Sequence, residues 1–317
     1  MQEISAYLKG LISMVPGSQH LMKLRGTRHT IPASYYYGIW LKHLVIAWNS
    51  GYKRIPARVV EFGPGDCFGV GIAALLSGAD EYYGLDVLSY SDSQTNLQIF
   101  RDMVELFQKR APRPTKGWPD FDQYMGKELF PDHILSEEVL KKSLQKDRLQ
   151  KIELAIKNSG DSSEEIKIKY IVPWVNNEEL EDGSIDFCYS HSVLEYVPNL
   201  EFLFDKIHRF LVPNGVMSHQ IDLSAHNLSH VWNGHRGFSN FSWNILKGKR
   251  PYFLTRNPYS VYKKGIEKMP FEIITDLRQE KTDGLTRDRI SSLWKDLSDE
   301  DLNTAGAFIQ ARKVTNP

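Results

Sequence analysis

The sequence has no long hydrophobic run, almost no cysteine and no excess of charge of either sign. No stretch of 18 apolar residues occurs among its 317 residues, so no segment reads as a membrane-spanning helix. Met1 to Gly10 carries Glu3 and Lys9 and lacks a long apolar core, so no signal peptide is expected there. The two cysteines, Cys67 and Cys188, exclude a disulfide framework and a cysteine-based zinc site; both read as small buried residues. These absences give an expected cytoplasmic location. Basic and acidic side chains number 39 each, and no basic stripe dominates, so no nucleic-acid partner is expected. The length suits one large α/β domain with appendages, or two small ones.

What is present centres on residues 58–76. The β-branched run Arg58-Val59-Val60 leads through Glu61 and Phe62 into Gly63-Pro64-Gly65, and an apolar helical pattern follows from Gly69 to Leu76. This reads as strand, tight loop, helix, the opening of a nucleotide-binding α/β unit. Gly63 and Gly65 permit backbone angles and close approach that a Cβ would block. A dinucleotide fingerprint needs a third glycine at position 68, which is Phe68; the pattern present is E-x-G-x-G-x-x-x-G. A lone glycine pair of this kind also suits an ordinary strand-helix turn.

The pattern resembles motif I of class I S-adenosylmethionine-dependent methyltransferases. That resemblance implies a Rossmann-like seven-stranded sheet with strand seven antiparallel and helices on both faces. It also implies S-adenosyl-L-methionine as cofactor, S-adenosyl-L-homocysteine as product, and a glycine loop holding the amino-acid end of the cofactor through Glu61, Gly63, Pro64 and Gly65. Tyr82 to Val87 reads as the second strand, with Asp86 placed to accept both ribose hydroxyls and Val87 beside it. A further likeness covers Asp182-Gly183-Ser184-Ile185-Asp186, an apolar strand, and Ser192-Val193-Leu194-Glu195. In it the strand ends at Ser190 and His191, beside the expected methyl group. Many of these enzymes have an acidic residue at the end of strand three to bind the adenine amino group. Here that strand, residues 166–173, ends in Pro173 and Trp174, on which the adenine would rest instead.

Elsewhere the chain divides into a cap, an insertion and a tail. Residues 1–56 form an expected N-terminal helical cap, with an aromatic helix capped near Ser34 and ending near Gly51. That helix reads either as packing on the sheet edge or, with Arg25 to Thr30, as a lid that sets Tyr37 over the sulfonium. The methyltransferase domain is expected over 57–317. A helix is expected from Ser93 to Arg110, its apolar face made by Leu97, Phe100, Val104 and Phe107. Residues 111–165 look like an insertion, framed by Pro112, Pro114 and Pro119, with a charged helix from Ser136 to Asn158. The insertion reads as a cover over the acceptor or as surface decoration. In the tail, strands are expected over 270–276 and 304–311, with a helix from Leu285 to Leu297 between them.

Histidines cluster after strand five, with His219, His226, His230 and His235 within seventeen residues. His219 reads as a core histidine. Asp222 and His226 should lie beyond the strand end, where open sheets bind ligands, and a carboxylate-oriented histidine suits removal of a hydroxyl proton. His191 is a second catalytic candidate. Structural hydrogen bonding and a divalent metal are the competing readings of the cluster, but its spacing matches no metal motif, so no metal is expected. The expected activity is methyl transfer to a small molecule, with O-methylation first and an amine acceptor as the alternative. A sugar or nucleotide sugar is suggested by a likeness to bacterial polysaccharide-modifying methyltransferases. A non-catalytic cofactor-binding protein is the reading from another class. The oligomeric state is left open.

Overall fold

The computed structural model describes residues 2–15, 31–158, 165–176, 180–250 and 252–314. In chain order the elements that matter are α1 (Gln2–Met14), α2 (Ala33–Asn49), β1 (Arg58–Phe62), α3 (Gly69–Leu76), β2 (Glu81–Leu85) and α4 (Ser93–Gln108). Residues 111–165, read in the sequence as an insertion, carry α5 (Asp122–Met125), α6 (Glu137–Ser143) and α7 (Lys146–Lys157), and β3 (Lys167–Ile171) and β4 (Ile185–His191) follow. The remainder is α8 (Leu200–Phe210), β5 (Leu211–Asp222), α9 (Asn240–Lys247), α10 (Tyr259–Glu267), β6 (Phe271–Glu280), α11 (Asp299–Asn303) and β7 (Thr304–Lys313).

The strands form one sheet in the order β3-β2-β1-β4-β5-β7-β6. The first five are mutually parallel, and β7 enters antiparallel between β5 and β6. This is the Rossmann-like methyltransferase arrangement. The order reverses between β1 and β4, so the carboxyl ends of those two strands open a crevice beside the first glycine loop.

Two apolar layers fill the faces. One holds Trp40, Tyr82, Phe107, Phe187 and Tyr189; the other holds Cys188, Met217, Phe204 and Tyr262. Helix α2 belongs to the first layer and is buried on almost every side from Tyr37 to Ala47. A helix that is apolar all round must be interior. Most of its buried polar atoms are paired: Trp40 Nε1 donates to Ser77 Oγ at 2.8 Å, and His43 Nδ1 lies 2.6 Å from Ser218 Oγ, while His43 Nε2 has no partner among the described residues. The expected cap at Ser34 is corrected: Pro32 precedes the first turn and makes no side-chain cap, while Gly51 at φ +100° ends the helix region.

Three further expectations change. The buried face of α4 is Asn96, Ile99, Phe100, Met103 and Phe107, with Leu97 and Val104 only half-buried, so the face is rotated from the one read in sequence. The charged helix breaks in two at Leu144-Gln145. At about 100° per residue, Leu140 and Ile152 would face about 120° apart on one straight helix, and the break lets both reach the core. The segment 285–297 forms only a short 3-10 turn at Ser292–Trp294. Side chains bind the carbonyls of this segment instead: Arg287 binds those of Lys295 and Leu297, both at 2.6 Å, and Lys295 Nζ binds those of Arg287 and Asp288.

Candidate cofactor and acceptor site

At the end of β1 the chain turns through Gly63 and Gly65, at φ +69° and +68°. Such angles strain any residue with a Cβ. The two glycines differ in surroundings. A Cβ on Gly63 would strike Val193 Cγ2 at 2.7 Å, whereas one on Gly65 would meet nothing within 4 Å and project into open space. The loop is tied to the neighbouring strand: Gly63 N donates to Leu85 O at 2.8 Å, and Gly65 N donates to Asp86 Oδ2 at 3.2 Å. Asp86 also accepts from Val87 N at 2.7 Å. Burial raises its pKa, opposed by the backbone hydrogen bonds from Val87 and Gly65.

Two cavities meet at this loop, and Gly63, Gly65 and Tyr90 line both. The first, about 350 Å³, is lined by Phe62, Leu85, Asp86, Val87, Trp174 and Phe202 among others. Trp174 stands edge-on to Phe62 with ring centroids 5.2 Å apart. It is an apolar slot with one carboxylate, the composition that suits a flat heterocycle carrying a diol. The second, about 390 Å³, is lined by Glu61, Pro64, Cys67, Tyr35, Tyr36 and His191. Glu61 is buried and accepts from Tyr82 Oη at 2.7 Å and Tyr189 Oη at 3.2 Å. Burial pushes its pKa up to about 7, with those two hydroxyls holding it lower than burial alone would.

A third cavity, about 470 Å³, adjoins the second through Tyr35, Ile39 and His191. Its other walls include Lys42 of α2, Gln220 of β5, and Pro114, Trp118 and Phe121 of the insertion. Lys42 Nζ donates to Trp118 O at 3.0 Å and lies 5.3 Å from the Phe121 ring centre. Burial lowers its pKa to about 8, partly opposed by Asp120. His191 is held edge-on by Tyr35 at 6.1 Å and by His43 at 6.4 Å. Burial, and then the Lys42 charge, bring its pKa down to about 4, so its ring is neutral near pH 7. Its Nδ1 and Gln220 Oε1 are buried without a hydrogen-bond partner among the described residues.

Glu61, Gly63, Pro64, Gly65, Asp86, Val87, Trp174 and His191 therefore stand together around the glycine loop. Three cofactor candidates do not. Tyr37 is turned into the core, its hydroxyl donating to Ala111 O at 2.7 Å and its ring against Phe107; its neighbours Tyr35 and Tyr36 line the cavity instead. Ser190 points to the opposite face of the sheet and pairs with His219 Nδ1 at 2.8 Å, both fully buried. Strand alternation decides this, since His191 then takes the other face. Pro173 is exposed and lines neither cavity. The lid segment Arg25 to Thr30 lies outside the described residues.

The structure does bring Asp222 and His226 together, with Nε2 3.6 Å from Oδ2 and 3.1 Å from the Asp222 carbonyl. His226 and Asn227 adopt left-handed backbone, at φ +44° and +65°, which folds the chain back onto Tyr196. As a result His226 faces a different cavity, about 600 Å³, beside Tyr196 and Tyr252, and Asp222 lines none of the three cavities above. The pair expected from sequence as base thus stands apart from His191, at a cavity that shares Tyr196 and Tyr252 with the Trp174 cavity. Lys42 was missed; its signal was a lone lysine inside the apolar run Gly38 to Trp48. Among the described residues no group of three histidine, cysteine or acidic side chains is arranged to hold a metal.

Residues 135–218 match a family model described as a methyltransferase domain. The fold is similar to the crystal structure of an S-adenosylmethionine-dependent methyltransferase from Mesorhizobium loti. Identity is 15%, the match covers 84% of this chain and 97% of that one, and the TM-score is 0.40. It is also similar to a structure described as SAM-dependent methyltransferases from Methanosarcina mazei, at 11% identity, 82% and 93% coverage and a TM-score of 0.40. No curated protein matches the sequence.

Proposed function

We propose that this chain, an S-adenosylmethionine-dependent methyltransferase, passes its methyl group to a hydroxyl oxygen of a small molecule held between α2 and the insertion. The residues fit the cofactor. Gly65 leaves the cradle open where a Cβ would intrude, Asp86 offers a carboxylate to a ribose diol, and Trp174 offers a flat apolar face. Glu61 stands on the other side of the loop, where an ammonium group can meet it. When bound, the sulfonium supplies an electrophilic methyl group, so the protein has to align the acceptor, exclude water and take up a proton.

The observation that carries this reading is the shared wall. Tyr35, Ile39 and His191 border both the cavity at the glycine loop and the cavity that holds Lys42. An acceptor in the third cavity therefore reaches the methyl site past His191. With its pKa near 8, Lys42 has a neutral amine available around physiological pH, and Nζ can accept a hydroxyl proton as the oxygen attacks. Gln220 Oε1 and His191 Nδ1 are buried without a partner in residues that line this cavity, and a turn of either side chain would offer it to an acceptor hydroxyl. Aromatic rings at Tyr35, Trp118 and Phe121 suit a ring-shaped acceptor, of which sugars and nucleotide sugars are the first to try.

The test is methyl transfer from radiolabelled cofactor to a panel of sugars, nucleotide sugars, phenols and small amines, followed by identification of the labelled atom. Label on an acceptor oxygen is expected. Label found only on nitrogen would overturn the reading.

Glu61 makes a separate prediction. Its carboxylate form is the one that attracts an ammonium, and its pKa lies near 7. Lowering pH below that value should weaken S-adenosylhomocysteine binding by up to about tenfold per unit, and Glu61→Gln should flatten the dependence. Calorimetric titrations between acid and neutral pH read this directly; an affinity indifferent to pH in the wild type would exclude an ammonium contact at Glu61.

A further inference from the structure

Helix α1 packs the wrong way round for a soluble surface. Its small residues Ala6, Gly10 and Ser13 are buried, while Leu8, Leu11 and Ile12 point outward and are 54%, 50% and 50% exposed. The buried side is fixed by α9. A Cβ on Gly10 would collide with the carbonyl oxygens of Ile245 and Leu246, and Lys249 N donates to Ser13 Oγ at 3.0 Å. On α9 itself Trp243 and Leu246 are buried, but Phe241 is 76% exposed. Large apolar side chains presented on two packed helices are a cost to a protein that meets only water.

Apart from Glu3 in the first turn of α1, the charge the two helices carry has one sign. Although the whole chain is neutral, no acidic residue occurs between Glu3 and Glu61 or between Asp222 and Glu267. Of the basic residues in those stretches, α1 carries Lys9, and α9 with the turn after it carries Lys247, Lys249 and Arg250, which the Lys249 N to Ser13 bond holds against α1. Lys9, Lys247 and Lys249 are exposed there. Lys9 and Arg250 also line the cavity of about 600 Å³ that runs beneath α1 against Phe253 and Leu254. That cavity shares Tyr196 and Tyr252 with the Trp174 cavity at the glycine loop.

We infer that α1 and α9 form a docking face for an anionic lipid bilayer, with Leu8, Leu11, Ile12 and Phe241 entering the interface and the lysines meeting the headgroups. An apolar helix face fringed with cations is the pattern of an interfacial helix, and each cation near an anionic surface adds to the attraction. No helix among the described residues is long and apolar enough to cross a membrane, so the contact is peripheral. The neutral total charge keeps the rest of the surface from binding acidic lipid indiscriminately.

The experiment is co-sedimentation of the full chain with vesicles of phosphatidylglycerol and phosphatidylcholine, and with phosphatidylcholine alone. Binding to the acidic vesicles, weakened by salt and at least about tenfold weaker to the neutral ones, is expected. The triple variant Leu8→Gln, Leu11→Gln, Ile12→Gln and, independently, Lys247→Glu with Lys249→Glu should each reduce binding by about tenfold or more. Both should keep wild-type affinity for S-adenosylhomocysteine, which confirms folding, because none of these residues lines the glycine-loop cavities. Wild-type protein remaining in the supernatant, or equal binding to both vesicle types, would overturn the inference. So would sedimentation velocity showing a dimer that the triple variant splits and no vesicle binding, since the face would then belong to a second copy.

Discussion

Replacing Asp86 by alanine should weaken S-adenosylhomocysteine binding by about a hundredfold or more, and Gly65→Val should abolish it. A carboxylate bonded to two hydroxyls contributes roughly 1.5–3 kcal/mol per charge-assisted bond, and about 3 kcal/mol in all already corresponds to a factor above one hundred. Asp86 does more than face the ligand. It also accepts from Gly65 N and Val87 N, so its removal frees the loop that shapes both cavities. Gly65→Val acts twice over. The residue sits at φ +68°, where a β-branched side chain is strained by roughly 1–3 kcal/mol, and the added atoms enter space that is now open. Calorimetric titration of both variants, with thermal melting to show that they fold, is the measurement. Wild-type affinity in folded Asp86→Ala would place the cofactor elsewhere.

Lys42→Met should lower turnover by about a hundredfold to ten-thousandfold while leaving S-adenosylhomocysteine affinity within about twofold, because the amine removes a proton and does not hold the cofactor. The pH profile separates this from a packing defect. Below pH 8 the wild-type amine is protonated and inactive, so log kcat/KM should rise with a slope of one and level off above about 8. In Lys42→Met that ionisation should vanish. Lys42→Arg should not restore activity, since a guanidinium stays charged. Stability moves in the same direction as rate: the unfolded chain holds the Lys42 proton up to its ordinary pKa, so the folded state gains from this group as pH rises past about 8. A Lys42→Met enzyme that keeps the wild-type profile would remove the lysine from the chemistry.

The sheet was legible in the sequence because its parallel strands are mostly short β-branched or aromatic runs, several of them closed by glycine, proline or an acidic residue. Arg58 to Phe62, Glu81 to Leu85 and Ile185 to His191 each end at the crevice, and their ends bring Gly63, Asp86 and His191 to one place. Helices were harder to delimit. Residues 136–158 keep helical composition across Leu144-Gln145, and only the mismatch between the faces of Leu140 and Ile152 reveals the break. In 285–297, Arg287 and Lys295 look like a solvated helix face until their hydrogen bonds to backbone carbonyls are seen. The acceptor side was the least legible. Tyr35, Tyr36 and Tyr37 are indistinguishable in composition, and the rotation of α2 decides that the third one is core. His226 stays beside the strand end, 3.1 Å from Asp222 O, and the left-handed turn at 226–227 aims it at the cavity beneath α1.

The acceptor cavity has one wall made of α2, which is also the largest piece of the molecule's interior, and one wall made of the loop 112–121. Gly38 sits so close to this loop that an added Cβ would come within 2.5 Å of Pro114 Cγ. The two walls therefore differ in how freely they can diverge. Substitutions on α2 that would retune acceptor choice disturb the packing around Trp40 and Leu44, whereas the insertion side can change length and sequence with less penalty to folding. New acceptor preferences in descendants of this chain should be written in residues 112–121, over a helix that stays nearly constant.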